Sequence, residues 1–278
     1  GAVSMMKTIN FIGTEIKAGG NRRAALMSIL EVNHPELLNF LIVKLDKKEL
    51  NNFNISVAIT DRFIEACEND EDWYFTFNNR KYTSYEVMAE GVTHTVCALN
   101  EEDAEGRVRQ HLVYDPDAEL KITEKVIKAK AIWKRLWTSA VECGCPGIFN
   151  ISRTNSYNCI NYFEYLPGTN PCGEIPLPSY GNCCLGHVNL DQMLLPDNSD
   201  VDWNKLAATV KTGVRFLDNI LTVNHFPVSD CREAGHRSRR IGLGVLGLHY
   251  MLIKLGLKYG SEKSLGFISR LFATIRNE

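Results

Sequence analysis

The sequence predicts an α/β fold built on parallel strands, in an open sheet or a barrel. Short apolar strand-like runs alternate with amphipathic helical stretches, no segment repeats, and no Pro/Gly/Ser linker interrupts the order, so one continuous fold is expected. The 278 residues are 45% hydrophobic and 23% charged, enough apolar material for a sizeable core. A formal net charge of −2 offers no basic field to a polyanion, so small molecules rather than nucleic acid are the expected partners. No apolar run approaches the roughly 18 residues of a membrane helix. The opening GAVSMMKTINFIG also lacks the basic-then-apolar layout of a signal peptide, and a cytoplasmic location away from membranes is expected. Nine cysteines in a chain this large read as reduced thiols, and any pair that matters should do redox or metal chemistry.

Taken in order, residues 25–30 lead into Asn33-His34-Pro35, after which ELLNFLIVKL has helical apolar spacing with Asn33 placed to cap it. Residues 53–59 alternate as a strand and stop at Thr60-Asp61, where RFIEACEND begins an amphipathic helix. From 73 to about 119 the pattern breaks into short aromatic pieces and acidic turns, predicted to be a peripheral insertion. Residues 123–143 give the clearest helix, with an apolar stripe from Val126 to Val141 and a stop at Gly144. A strand at 146–151 follows, then a long helix over 203–221 behind Asp202. A strand at 240–245 feeds a helix over 246–255. Gly242, Gly244 and Gly247 satisfy G-x-G-x-x-G, but polar HRSRRI precedes them, and close packing of a strand against its helix explains them better than a dinucleotide site. The sequon Asn54-Ile55-Ser56 is given no role, and His236, Arg237, Arg239 and Arg240 read as an ion-paired surface.

The run TNPCGEIPLP is where chemistry concentrates. Asn170, Cys172 and Glu174 stand at i, i+2 and i+4, one face of an extended backbone, and Pro171 and Pro176 keep Asn170 and Ile175 out of the helical region. The expected product is an ordered loop offering a reactive sulfur, a proton-accepting carboxylate and an amide that can hold hydroxyls. Cys183, Cys184 and His187 form a second cluster. With Cys172 they could bind zinc, but their spacing fits none of the usual knuckles and no metal is expected. Inert buried cysteines are the other bland reading, against which the proline-locked presentation argues. In Lys17-Ala18-Gly19-Gly20-Asn21-Arg22-Arg23, paired glycines beside arginines fit a phosphate cradle and a solvated turn equally.

NPCGE with the later CxLGxVNL, the opening GAVSMM and KAGGNRRAALM, then HPELLNF, FNISVAITDRFIEA, RFLDNILTVNHFP and RRIGLGVLGLHYMLIKLG resemble, in that order, the catalytic large chain of ribonucleotide reductases. The similarity spares only about 73–119, and the wording is most like the adenosylcobalamin-dependent class II type. The resemblance implies part of a ten-stranded α/β barrel, with a central finger loop carrying the catalytic cysteine, and DNA precursor synthesis by thiyl-radical chemistry. It implies that Cys172 becomes a thiyl radical and takes the 3′-hydrogen of a ribonucleotide. Glu174 would act as base toward the 3′-hydroxyl, and Asn170 would hold the sugar hydroxyls. Cys183 aligns with one member of a redox-active cysteine pair, and Cys184 sits where relatives carry another polar residue. The loop with Lys17, Gly19, Gly20 and Arg22 resembles the one linking a nucleotide effector site to the substrate base.

The implied cofactor is adenosylcobalamin, or alternatively a separate radical-generating metal subunit. The implied partners are a thioredoxin-like or dithiol reductant, the remainder of the catalytic chain and often a second copy. By the same resemblance residues 1–278 are expected to be a fragment of the barrel domain, inactive alone because the partner cysteine lies upstream of Gly1. The alternatives are a non-catalytic nucleotide- or subunit-binding remnant and, more distantly, a zinc-stabilised interaction domain.

Overall fold

Where apolar runs alternate with helical stretches, the computed structural model has parallel strands joined by helices. It describes the chain except residues 17–19, 21–23, 47, 90–91, 103–107, 111–120 and 125. Two compact units are present, Gly1–Pro178 and Ser179–Glu278. No described helix is long and apolar enough to cross a membrane.

The first unit runs α1 (Ala2–Glu15), β1 (Leu26–Glu31), α2 (Leu37–Ile42), β2 (Phe53–Ile59) and α3 (Asp61–Glu68). Then come β3 (Asp72–Trp73), β4 (Phe75–Phe77), β5 (Arg80–Ala89), β6 (Val92–Glu102), β7 (Val108–Gln110), β8 (Lys121–Glu124) and β9 (Ile127–Lys128). The unit ends with α4 (Ala129–Cys143), β10 (Gly147–Asn150), α5 (Ile151–Ser156), β11 (Gly168–Thr169) and β12 (Pro176–Leu177). β2 is central in a parallel sheet of order β1-β2-β10, with Ile29 opposite Ser56 and Ile148 opposite Val57. Helices lie in the connections between these strands, the crossovers that parallel pairing requires.

Alternation gives β2 two unlike faces. Phe53, Ile55, Val57 and Ile59 join the main core with Phe40 and Leu41 of α2, Phe63 of α3, and Ile132 and Leu136 of α4. Asn54, Ser56 and Ala58 take the other face, where Ala58 meets Phe149 and Ile151. Thr60 caps α3 by accepting the Phe63 N–H, and Gly144 at φ 74 ends α4. Residues 75–124 contribute an antiparallel sheet of order β4-β5-β6-β7, with β8 on the free side of β5.

Two helices differ from expectation. α2 is only six residues long and Asn33 does not cap it, because the helix begins at Leu37 behind Glu36, while the Asn33 amide donates to Thr76 Oγ1 at 2.8 Å. Neither does the helix expected over 123–143 begin before Ala129. Strand pairing claims its β-branched start, with Thr123 opposite Glu86 and Ile127 opposite Trp73, and tertiary pairing outweighs local helical spacing there.

The second unit runs β13 (Cys184–Asn189), a single 3-10 turn, α6 (Trp203–Val223), α7 (Ser229–Ser238), β14 (Ile241–Leu246), α8 (Leu248–Lys254) and α9 (Glu262–Asn277). β13 and β14 pair in parallel, with α6 and α7 in the crossover. Asp202 caps α6 by accepting the Lys205 N–H at 2.9 Å. Leu206 and Val210 of α6 pack with Val188, Met251 and Leu271. Close approach of α6 to the strands depends on Gly186 and Gly213, where an added Cβ would lie 3.3 Å from Leu217 and from Leu243.

The G-x-G-x-x-G glycines therefore do something other than pack strand on helix. Gly242 and Gly244 lie on the opposite face, where a Cβ would come 2.6 Å from Leu185 Cδ2 and 2.9 Å from His187 Cδ2 of the neighbouring strand. Gly247 has φ 75, and a Cβ there would sit 2.7 Å from Asn189 Oδ1 and 3.1 Å from the Asp191 nitrogen. Gly256, at φ 68 with open space around it, carries the backbone penalty without the collision. Replacing either by Ala should cost about 1–2 kcal/mol for the left-handed backbone, with Gly247→Ala the more destabilising by urea unfolding. Equal losses would mean that Asn189 and Asp191 yield freely.

Candidate active site

Antiparallel β11 and β12 pair Gly168 with Leu177 and Thr169 with Pro176, and so make a hairpin whose tip is residues 170–175. The Asn170 N–H donates to the Ile175 carbonyl at 3.2 Å, and the Ile175 N–H donates to Asn170 Oδ1 at 3.0 Å. Within the tip, the Gly173 N–H donates to the Asn170 carbonyl at 3.0 Å. That bond closes a β-turn over 170–173, not the extended backbone expected from the prolines. The reason is local. Pro171 presets the φ that a first central turn position wants, and Gly173 just beyond takes φ 85 without a Cβ penalty.

Turn geometry rather than strand alternation thus puts Asn170, Cys172 and Glu174 on one tip. Cys172 and Glu174 are exposed and Asn170 is half-buried. With Oδ1 engaged in loop closure, the Asn170 Nδ2 donor has no partner among the described residues. Cys172 is exposed, and beside it the Cβ position of Gly173 has nothing within 4 Å.

The hairpin rests on the β1–β2 face that carries Asn54 and Ser56. A Cβ at Gly168 would touch Ile29 Cδ1 at 3.4 Å, and Asn54 Nδ2 donates to the Pro171 carbonyl. Upstream, Asn155 holds both the Leu166 carbonyl, at 3.1 Å, and the Leu166 N–H, at 2.9 Å. Sequence reasoning set Asn54 aside as an idle sequon. The available signal was a polar amide at an alternate position of an otherwise apolar strand.

Cys183 and Cys184 stand at the start of β13. Cys183, Leu185 and His187 face away from α6, and the Cys183 sulfur is 3.7 Å from where a Gly242 Cβ would be. Burial pushes the Cys183 thiol above its ordinary pKa and neighbouring Cys184 adds to this, while the Arg240 guanidinium opposes it. Among the described residues, no group of three or more His, Cys, Asp or Glu side chains is placed to hold a metal ion. Of the residues expected in an effector loop, Lys17, Gly19 and Arg22 lie outside the described residues, and Gly20 occupies a turn at φ 78. The basic cluster is ion-paired as expected at Arg239, which donates to Asp218 at 2.7 Å and holds that carboxyl below its usual pKa range.

The whole chain, residues 1–278, matches the family model described as ribonucleotide reductase, barrel domain. It is 33% identical over 279 residues to a vitamin B12-dependent ribonucleoside-diphosphate reductase of Thermoplasma acidophilum, covering 100% of this chain and 31% of that protein. A Mycobacterium tuberculosis protein of the same description is 31% identical over 99% of this chain and 34% of its own length. The ribonucleoside-diphosphate reductase subunit alpha of Chlamydia muridarum is 26% identical over 96% of this chain and 25% of its own. The chain thus spans about a third or less of these relatives' lengths.

The raised Cys183 pKa has a testable sign. Its thiolate should form only as pH climbs past the ordinary thiol value, so the pH midpoint of alkylation at Cys183, followed by peptide mass spectrometry, should lie above that of a free cysteine. Arg240→Gln should move it higher still. A midpoint below the free-thiol value would contradict the burial argument.

Proposed function

The chain belongs to the ribonucleotide reductase barrel-domain family, and on that premise we propose that it carries the groups that reduce a ribonucleotide to a deoxyribonucleotide. The observation that carries the proposal is the tip of the β11–β12 hairpin, where an exposed thiol, an exposed carboxylate and an amide with a spare donor share one short turn. A remnant that only bound nucleotide or a subunit would need neither the thiol nor the base there.

In this reading Cys172, as a thiyl radical, takes the hydrogen from C3′ and returns it at the end of the cycle. Glu174 accepts the 3′-hydroxyl proton, and Asn170 Nδ2 donates to a sugar hydroxyl. The 2′-hydroxyl leaves as water. Two electrons and two protons come from a dithiol that closes to a disulfide, with Cys183 as one member, so ribonucleotide and dithiol become deoxyribonucleotide, water and disulfide. Two relatives are described as vitamin B12-dependent, and adenosylcobalamin would supply when bound the one-electron chemistry that no amino acid provides unaided. The open side of the tip at Cys172 and Gly173 fits a bulky group that must reach the sulfur, and those residues would lie against it.

The finer architecture follows the same reading. In the first unit α2, α3 and α4 cover one face of the sheet, while the hairpin lies on the other. In the second, α6 covers one face of β13–β14 and Leu185 and His187 stay exposed on the other. Staves with helices outside and chemistry inside support a ten-stranded barrel with the hairpin as its central finger. The antiparallel sheet within 75–124 is its peripheral insertion. A ribonucleoside diphosphate as substrate, a nucleotide effector, a thioredoxin-like reductant, a cytoplasmic location and pairing with a second copy complete the proposal.

The test is turnover by the complete polypeptide with adenosylcobalamin and a dithiol. Cys172→Ser should abolish deoxynucleotide formation and leave nucleotide binding within about twofold, because oxygen cannot replace the sulfur in hydrogen-atom transfer. Glu174→Gln should lower the rate about 10²- to 10⁴-fold. Residual reduction by the serine variant would overturn the assignment.

A further inference from the structure

We propose that Asn54 is a positioning residue, whose side-chain amide sets where the Cys172 thiol sits by holding the carbonyl of the preceding residue. The hydrogen bonds inside the tip, from Asn170 to Ile175 and from Gly173 to Asn170, fix its shape and not its location. Location comes from below. The base of the hairpin touches Ile29 through Gly168, and among the described residues the hydrogen bond joining tip to sheet is the one from Asn54 Nδ2 to the Pro171 carbonyl. That carbonyl belongs to the peptide plane leading into the Cys172 Cα, so fixing the plane restricts the direction in which the Cys172 side chain leaves it.

Asn54 is itself well held. It lies on the central strand between Phe53 and Ile55, which are 5% and 2% exposed, so its backbone is fixed by the main core. Two residues earlier, Asn52 is tied to α1, its N–H donating to Asn10 Oδ1 at 3.0 Å and its amide to Thr14 Oγ1 at 2.8 Å. The chemistry of the anchor is specific. A carbonyl must be met by a donor, which an amide supplies and an ionised carboxylate of the same shape does not.

The inference rests on the proposed reaction only for its kinetic consequence, and the test separates the two. Asn54→Asp, isosteric but without the donor, and Asn54→Ala are made in the complete polypeptide. Hydrogen–deuterium exchange over 168–177 is read without substrate, and kcat and KM with it. Both variants should raise exchange in the hairpin about fivefold, the factor carried by one hydrogen bond, and leave the core peptides of β1 and β2 unchanged. They should lower kcat about ten- to a hundredfold with KM within about twofold, because a displaced thiol loses alignment rather than binding. Asn54→Gln, which keeps a donor at this exposed position, should recover most of the rate. Wild-type exchange in Asn54→Asp overturns the anchoring, and raised exchange with unchanged kcat overturns the positioning role. If the unaltered protein shows no turnover, the reaction reading fails and exchange alone decides the anchor.

Discussion

A central parallel strand has hydrogen-bonded neighbours on both sides, and every side chain on it must belong to one face or the other. β2 is under that constraint. A slip of one residue would carry Phe53, Ile55, Val57 and Ile59 out of the core and put Asn54 into it, at the cost of four buried apolar side chains of roughly 2 kcal/mol each. Register at β2 is therefore strongly specified, and whatever leans on its second face inherits that precision. The hairpin with Cys172 leans there, and so the aim of an exposed thiol is set by packing on the far side of the sheet.

The two cysteine sites solve different problems. Cys172 is on a short turn, exposed, where other molecules can reach the sulfur. Cys183 is half-buried at the mouth of a strand, and burial shifts it further toward the neutral thiol. A group held as thiol resists adventitious alkylation and oxidation, which act on the thiolate, while keeping the hydrogen and electron it would give in reduction.

Much of the frame was legible because its signals are local. Thr60 before α3, Asp202 before α6 and Gly144 after α4 end their helices as their side chains, or the lack of one, require. Where pairing partners lie far away the reading failed. Thr123 and Ile127 have helical spacing in sequence, yet strands some 35 to 55 residues upstream claim them. The residue types mark the tip at 170–175 but not its conformation, because proline restrictions alone do not distinguish a strand from a turn closed by the Asn170 carbonyl. Asn54 was invisible for a plainer reason. Its partner is a backbone carbonyl 117 residues away, and no periodicity announces such a bond.

Glycine opposite leucine across a parallel strand pair has one more consequence. The point that a Cβ of Gly242 would take is crowded from the neighbouring strand, with Leu185 Cδ2 at 2.6 Å and the Cys183 sulfur at 3.7 Å. Even the smallest side chain there would push Leu185 aside. The surroundings of the Cys183 thiol are thus kept by the absence of one carbon on the next strand.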